Sequence, residues 1–365
     1  MKHLLIFDPG MLSAFGHHYA YNSALFQAAR TLGLPVRWLF SNRLPEDLAG
    51  TFPTAPLSLE WSTYGVLSTL DAAPVEAVPA VAARLAGDIG LCLDAPQPRP
   101  DLLFAHTLEP ATFLALLLWR AALPRHMRPA LALNVMLGLD ASERCRTILG
   151  HAAQLLAAAP DVALFAGTRP AAALLTESTG HEAAMLPSPL PGWLAGCASP
   201  ASAGPPLFCL LGDGRPGKNL QVLPTALMHY LRGGGKGRFM IRMTPTDADM
   251  HGVFTALHDM RRAFPEQIDL SLRRLEEREY YASLGKADAL VIPYTASAYT
   301  RFRPSGLGIE SAALGVPAIC AQGGFMEEEL ARLDNGSLFL ESVSPASLSQ
   351  AFFLLALVAL IIEIV

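Results

Sequence analysis

The sequence predicts an α/β protein built as two doubly wound parallel-sheet domains facing a central cleft. Short runs that are apolar at every position alternate with longer Ala- and Leu-rich stretches of helical period along nearly the whole chain. Strands without polar alternation are strands covered by helices on both faces, as parallel sheets are. The runs also fall into two series, parted by residues 187–206, a segment rich in Pro, Gly, Ser and Ala. Such a composition breaks helices and strands and reads as a linker. The expected division is a first domain over 1–190, a linker over 191–206, a second domain over 207–345 and an apolar C-terminal helix over 346–365.

In the first series the strands are expected at 3–7, 36–40, 102–105, 131–135 and 162–165, with helices at 18–31, 75–87, 110–122, 141–158 and 170–179. The second series places strands at 207–211, 239–243, 268–272, 289–293, 318–321 and 338–340, and helices at 220–232 and 248–264. In such sheets ligands bind outside the carboxyl ends of the strands, so the chemistry is sought in the loops that follow them.

Composition narrows the function classes. Hydrophobic residues make up 52% of 365 and charged residues 16%, enough apolar material for two cores and the opposite of a disordered chain. The net charge of −5 is spread along the sequence and excludes a basic nucleic-acid footprint. The first apolar stretch ends at Asp8, short of a secretory leader, and the longest uncharged apolar run, 351–362, is shorter than the roughly 20 residues that span a bilayer. Five cysteines without CxxC spacing are expected to be reduced thiols. The expected location is cytoplasmic, with the apolar tail either packed on the protein or in peripheral contact with the inner face of a membrane.

The strand at 207–211 runs into Gly212-Asp213-Gly214-Arg215-Pro216-Gly217-Lys218. Its glycines match GxGxxG, but no acidic residue ends a second strand about 20 residues on, as a dinucleotide site needs. A P-loop fits up to Lys218, where Asn219 replaces the hydroxyl that would ligate Mg²⁺. The charges suggest a third reading, in which Arg215 and Lys218 stand three apart at a helix entry and both aim at one anion from an open, solvent-facing site. A plain charged helix entry is the structural alternative. Further on, the strand at 289–293 leads through Tyr294 and a polar loop to Ser305 and Gly306, which open a helix carrying Glu310. Backbone N–H groups at Ser305, Gly306 and Leu307 would form a second anion site, and Glu310 could accept hydrogen bonds from a sugar diol.

These two stretches together resemble the retaining glycosyltransferases of the GT-B fold, close to family 4 of the group 1 type, which have two Rossmann-like domains. The resemblance covers about residues 205–325. It rests on the G-x-x-R-x-x-K loop and on Pro293-Tyr294, Ser305-Gly306, Glu310, Gly315 and Pro317. It implies that Arg215 and Lys218 contact the diphosphate of a nucleotide-sugar donor, that Glu310 contacts the ribose, and that Gly214, Tyr294, Ser305, Gly306 and Leu307 line the donor site. It implies no cofactor beyond that donor substrate and no metal, with a sugar, glycan or lipid-linked acceptor. One position departs from the pattern: Phe302 stands where many relatives carry a Glu that approaches the transferred sugar. A non-catalytic nucleotide-binding or interaction protein and a nucleotide-sugar epimerase therefore stay open as alternatives.

The first domain adds softer signals. The loop after its first strand carries Gly10 and Gly16, and Gly16 would let a ligand approach the backbone. His17 and His18 are candidates for acceptor or phosphate contact, or for capping and packing. His106 ends the strand at 102–105 with Glu109 nearby, and is the candidate acid/base group of the cleft. Tyr280 and Tyr281 are expected to pack. Asp247-x-Asp249 is expected to cap a helix, and His251 and His258 lack a third metal ligand.

Overall fold

The computed structural model describes residues 3–364 except 15, 56, 94–98, 198–203 and 298. The chain divides into two compact units, Met1–Pro189 and Leu190–Val365. In order, the first holds β1 (Leu4–Asp8), α1 (Gly16–Leu32), β2 (Val36–Phe40), α2 (Glu46–Ala49), α3 (Thr63–Ala72), α4 (Val78–Leu93), β3 (Leu102–Leu108), α5 (Pro110–Ala122), β4 (Ala130–Val135), α6 (Glu143–Leu156), β5 (Val162–Ala166), α7 (Arg169–Thr179) and β6 (Ala183–Met185). Its six strands form a parallel sheet in the order β2-β1-β3-β4-β5-β6.

The second unit holds β7 (Leu207–Gly214), α8 (Leu223–Arg232), β8 (Arg238–Pro245), α9 (His251–Ala263), β9 (Ile268–Ser271), α10 (Glu277–Gly285), β10 (Ala289–Ile292), α11 (Gly306–Leu314), β11 (Ala318–Ala321), α12 (Phe325–Leu330), β12 (Leu338–Leu340) and α13 (Pro345–Ile364). Its parallel sheet has the order β12-β11-β10-β7-β8-β9. Each sheet carries helices on both faces. In the second unit one core lies under α8, α9 and α13 and another under α10, α11 and α12.

Local chemistry explains where the helices start. Ser142, Thr168 and Ser305 are N-caps whose hydroxyls accept from the backbone N–H three residues on. Glu109 caps α5 in the same way, accepting from the N–H groups of Ala111 at 2.6 Å and Thr112 at 2.7 Å, with Pro110 at the first helical position. Gly180 and Gly315 end α7 and α11 in the left-handed conformation.

One boundary shifts, several short elements are added, and one of the two placements left open for the tail is observed. The second unit begins before the proline-rich segment ends: Leu194 is buried and residues Leu194–Cys197 form a turn against α10 and α11, while 198–203 lie outside the described residues. Helices α3, α10 and α12 and strand β6 were not legible, because they are short or polar. The apolar tail packs within the second unit, since Leu348, Ala351 and Phe352 of α13 are buried against α8 and the sheet. Phe352 meets the rings of Phe208 and Phe239 at 5.0 Å and Tyr230 at 5.7 Å. Phe353, Leu354, Leu357 and Val358 remain exposed. Among the described residues no helix is long and apolar enough to cross a membrane.

Phe352→Ala should cost about 3–5 kcal/mol, since truncating a fully buried ring leaves a cavity among three others. Leu357→Ala should stay within about 0.5 kcal/mol. Urea denaturation of the two variants reads the difference, and equal midpoints would mean that α13 is not anchored through Phe352.

Candidate functional site

A doubly wound sheet binds ligands where its strand order reverses. In the second unit that point lies between β7 and β10. Gly212 near the end of β7 has φ +109°, a conformation open to glycine, and a Cβ there would sit 3.1 Å from the Lys218 ammonium. Residues Pro216–Lys218 make one tight turn, Asn219 breaks it at φ 53°, and α8 begins only at Leu223. A second tight turn, Leu220–Val222, runs straight into α8, so the loop enters its helix through two successive 3₁₀ turns. The Asn219 amide donates to the carbonyls of Pro293 at 3.1 Å and Val343 at 3.2 Å, tying the β7 loop to the β10 loop.

That tie brings the cations together. Lys218 is buried, with its ammonium 5.1 Å from the centroid of the Tyr294 ring. Tyr294 stacks on Tyr299 at 4.9 Å. Arg215 donates to the Tyr299 hydroxyl at 3.3 Å, and the Arg303 guanidinium lies 5.0 Å from the centroid of the same ring. Two stacked tyrosines thus carry three cations. Burial lowers the Lys218 pKa to about 8; Arg215 and Arg303 push it the same way, against Asp213 and Glu310.

Beside them α11 begins. The Ser305 hydroxyl takes the N–H of Gly308 at 3.3 Å, so the first N–H groups, of Gly306 and Leu307, have no acceptor within the helix. Glu310 accepts from the Tyr280 hydroxyl at 2.6 Å and from Tyr281 at 3.4 Å. Burial raises its pKa, and these two hydrogen bonds work against the rise.

In the first unit the order reverses between β1 and β3. Asp8, the last residue of β1, is fully buried in a polar cluster. Its Oδ1 accepts from His18 Nδ1 at 2.6 Å and the Gly10 N–H at 3.1 Å, and its Oδ2 accepts from Asn22 Nδ2 at 2.6 Å. His106 Nε2 lies 3.2 Å from Asn22 Oδ1 and 3.4 Å from Asp8 Oδ2. The parallel register of β1 and β3, with Ile6 opposite Phe104, puts His106 on the same face as Asp8, and Asn134 Nδ2 donates to the His106 carbonyl at 2.8 Å. Burial alone would raise the Asp8 carboxyl; the charges and hydrogen bonds of His18 and His106 overcome it and hold the group well below the usual range.

Asp8, His18 and His106 place ligand atoms within 4.8 Å of one another, the spacing of a metal cage. The Asn22 donor already occupies Asp8 Oδ2, and both imidazoles point hydrogen-bonding nitrogens at the carboxylate. The cluster is satisfied as a hydrogen-bond network.

The expected site residues are thus sorted. Arg215, Lys218, Tyr294, Ser305, Gly306, Leu307 and Glu310 share the switch point of the second unit. Lys218 was expected to face solvent and instead is buried against Tyr294. A Cβ on Gly214 would come within 2.2 Å of the Phe254 ring, so this glycine is explained by packing on α9. His106 is no open strand-end acid or base: it is fully buried and stacked on Tyr21 at 4.6 Å. Glu109, considered beside it, is a helix cap. Gly16 is exposed at φ +77° with open space around it, as a close backbone approach requires. Tyr280 and Tyr281, expected only to pack, hold Glu310. Asp247 accepts from the Asp249 N–H at 2.9 Å and caps as expected, and His251 and His258 are exposed.

Sequence comparison adds nothing to this: no protein-family model and no curated protein matches the chain. Solved structures do match. Sucrose-phosphate synthase from Thermosynechococcus elongatus is 15% identical with a TM-score of 0.61, over 97% of this chain and 89% of that one. The Anabaena protein HepE, solved in complex with UDP, is 13% identical with a TM-score of 0.60 over the same shares of 97% and 89%. The α,α-trehalose 6-phosphate synthase from Burkholderia multivorans is 13% identical with a TM-score of 0.62, over 98% and 90%. The chain has the GT-B fold. At these identities the likeness speaks for the architecture of two Rossmann-like units.

Asp8 supplies a test of the first unit. A carboxyl held below its unfolded value of about 3.9 stabilises the native state above that pH, and the contribution is lost as pH falls toward the folded value. Asp8→Asn should cost about 3–5 kcal/mol at pH 7, as breaking a buried ionic cluster does. Its stability should also fall less steeply than the wild type's below about pH 4. Urea midpoints across that range check both, and parallel acid limbs would assign the acid sensitivity to other groups.

Proposed function

We propose that this GT-B protein is a glycosyltransferase of the retaining kind, resembling family 4. It moves a sugar from a nucleotide diphosphate-sugar to the hydroxyl of a sugar, glycan or lipid-linked acceptor, in glycan, polysaccharide or glycolipid synthesis. The observation that carries this reading is the set of three cations, Arg215, Lys218 and Arg303, mounted on Tyr294 and Tyr299 at the switch point of the second unit. A diphosphate is complementary in charge to this set of cations. The free N–H groups at Gly306 and Leu307 give it further donors, and Glu310, oriented by Tyr280 and Tyr281, suits a ribose diol. The UDP held by a protein of the same fold supports a nucleotide diphosphate as the ligand class.

The chemistry in this reading is leaving-group stabilisation. As the glycosidic bond breaks, charge grows on the diphosphate, and cations already fixed in place bear it without reorganising. The nucleotide-sugar is a substrate, and the protein's own cations do what a metal does elsewhere. Cytoplasmic location, with peripheral contact to a membrane through the exposed face of α13, belongs to the same proposal. Phe302 favours a second reading, a nucleotide-binding protein without transfer, or an epimerase that converts the donor with no acceptor.

Calorimetry with UDP-, GDP- and ADP-sugars, followed by product detection, separates these readings. Arg215→Ala and Lys218→Met should each weaken donor binding by about 10- to 150-fold, the worth of one charge-assisted hydrogen bond to phosphate. Turnover should fall further than binding, because the leaving-group charge is largest in the transition state. Wild-type affinity should decline as pH rises past about 8, where the Lys218 ammonium loses its proton. Arg215→Ala should keep that alkaline limb and Lys218→Met should lack it. Near-normal turnover in both variants would leave the loop a charged turn without a ligand.

A further inference from the structure

We propose that the second unit docks on an anionic lipid surface, through the outer face of α13 and the basic loop 232–238 beside it. This rests on the peripheral membrane contact named above and gives it a lipid class and a second recognition element. Binding to lipid can be measured without any sugar transfer.

Helix α13 is apolar on two sides. Leu348, Ala351 and Phe352 are buried in the core of the unit, with Leu355 partly buried beside them. Phe353, Leu354, Leu357 and Val358 are between 41% and 54% exposed. Residues four apart share a helix face, so Phe353 with Leu357 and Leu354 with Val358 make one stripe on the opposite side. Of the eleven large apolar side chains exposed among the described residues, four fall within these six positions. A helix that is apolar all round needs cover all round, and one side of α13 has it from the protein. A continuous exposed stripe of this kind marks a contact surface.

Charge beside the stripe says what covers it. The Phe353 ring lies 4.6 Å from the ring of Tyr230, and a Cβ on Gly233 would come within 3.0 Å of it. The stripe therefore starts where α8 ends and the loop Arg232-Gly233-Gly234-Gly235-Lys236-Gly237-Arg238 begins. Tyr230 shapes this loop: its hydroxyl accepts the Gly237 N–H at 2.9 Å, and its carbonyl accepts the Gly235 N–H at 3.0 Å. A Cβ on Gly237 would meet the Phe208 ring at 2.6 Å, so the backbone itself packs on the core. The side chains left to the loop are those of Arg232, Lys236 and Arg238, and all three are exposed. The Gln267 amide donates to the Gly235 carbonyl at 2.9 Å and brings exposed Glu266 nearby, one acid against three cations.

An apolar stripe edged by cations matches a lipid interface: the side chains enter the acyl boundary and the cations meet phosphate headgroups. A second copy of the chain fits less well, since a two-fold contact on this face would set the same three cations against each other. The placement also keeps the donor site free. Loop 232–238 precedes β8, at the amino ends of the strands, whereas Lys218 and Ser305 follow the carboxyl ends of β7 and β10. Helix α13 spans that distance, from Val343 beside Asn219 to Phe353 beside Gly233. A surface bound at one edge of the sheet leaves the other edge open.

The test is flotation of the full chain with vesicles of phosphatidylcholine, with and without phosphatidylglycerol. The wild type should bind the phosphatidylglycerol vesicles more tightly and lose that preference as salt is raised. Replacing Arg232, Lys236 and Arg238 together by Gln should weaken binding by about 100-fold, at about 5-fold for each cation near an anionic surface. Leu354→Gln with Leu357→Gln should weaken it by about 10-fold or more and keep the salt dependence. All five side chains are exposed, so urea midpoints of both variants should match the wild type. A wild type that stays off phosphatidylglycerol vesicles overturns the proposal, as does binding indifferent to the triple substitution. A dimer that the leucine substitutions dissociate, with no vesicle binding, gives the face to a second copy and also overturns it. A protein that binds vesicles but transfers no sugar defeats the glycosyltransferase reading and leaves the lipid contact standing.

Discussion

Each sheet has a charged side chain buried where its strand order reverses, Asp8 in the first unit and Lys218 in the second. A parallel sheet directs the carboxyl ends of its strands to one edge, and the reversal opens a crevice there that no helix fills. An ion placed in such a crevice has lost most of its water and needs compensating partners from the neighbouring loops. Much of the irregular structure at these points can be understood from that need. In the first unit it accounts for the contacts of Asp8 with His18, Asn22 and His106. In the second it accounts for the positive φ at Gly212 beside the ammonium and for the two tyrosines under it.

The two compensations differ in kind, and so do their consequences. Asp8 is held by directional hydrogen bonds, which fix tautomers and ring orientation and leave the carboxylate charged. Lys218 is held mainly by an aromatic face, which is attractive but supplies no counter-charge, and two further cations stand nearby. Hydrogen bonds dominate the first environment, and aromatic faces with Asp213 and Glu310 at a distance dominate the second.

The alternation of strands and helices was legible because a buried parallel strand must be apolar at every position, which leaves a plain mark on the sequence. Strand β6, only Ala183–Met185 at the sheet edge, left none, and the polar α10 did not register as a helix. The cationic loop and the α11 entry were legible as neighbouring loops after β7 and β10 through residue type and spacing. The burial of Lys218 was not, because it depends on Tyr294, which reaches it from the loop after β10, 76 residues later in the chain. Tyr280 and Tyr281 looked like packing residues for the same reason: their hydroxyls find Glu310 only once α10 and α11 lie side by side. The signal available was a tyrosine pair in a polar stretch, where packing alone does not require two hydroxyls.

The sequence by itself determined the α/β class, the strands that make up most of each sheet and the close spacing of Arg215 and Lys218 after β7, all of which follow from hydrophobic period, helix-capping residues and the short-range spacing of charges. Only the tertiary structure decided that His18 and His106 are both buried around Asp8, that Gly214 is accounted for by Phe254 packing, and that the apolar tail is anchored on α8. Those outcomes depend on which side chain from a distant element arrives beside a given group. Burial, tautomer and charge balance are properties of that assembled neighbourhood, and a local pattern along the chain does not contain them.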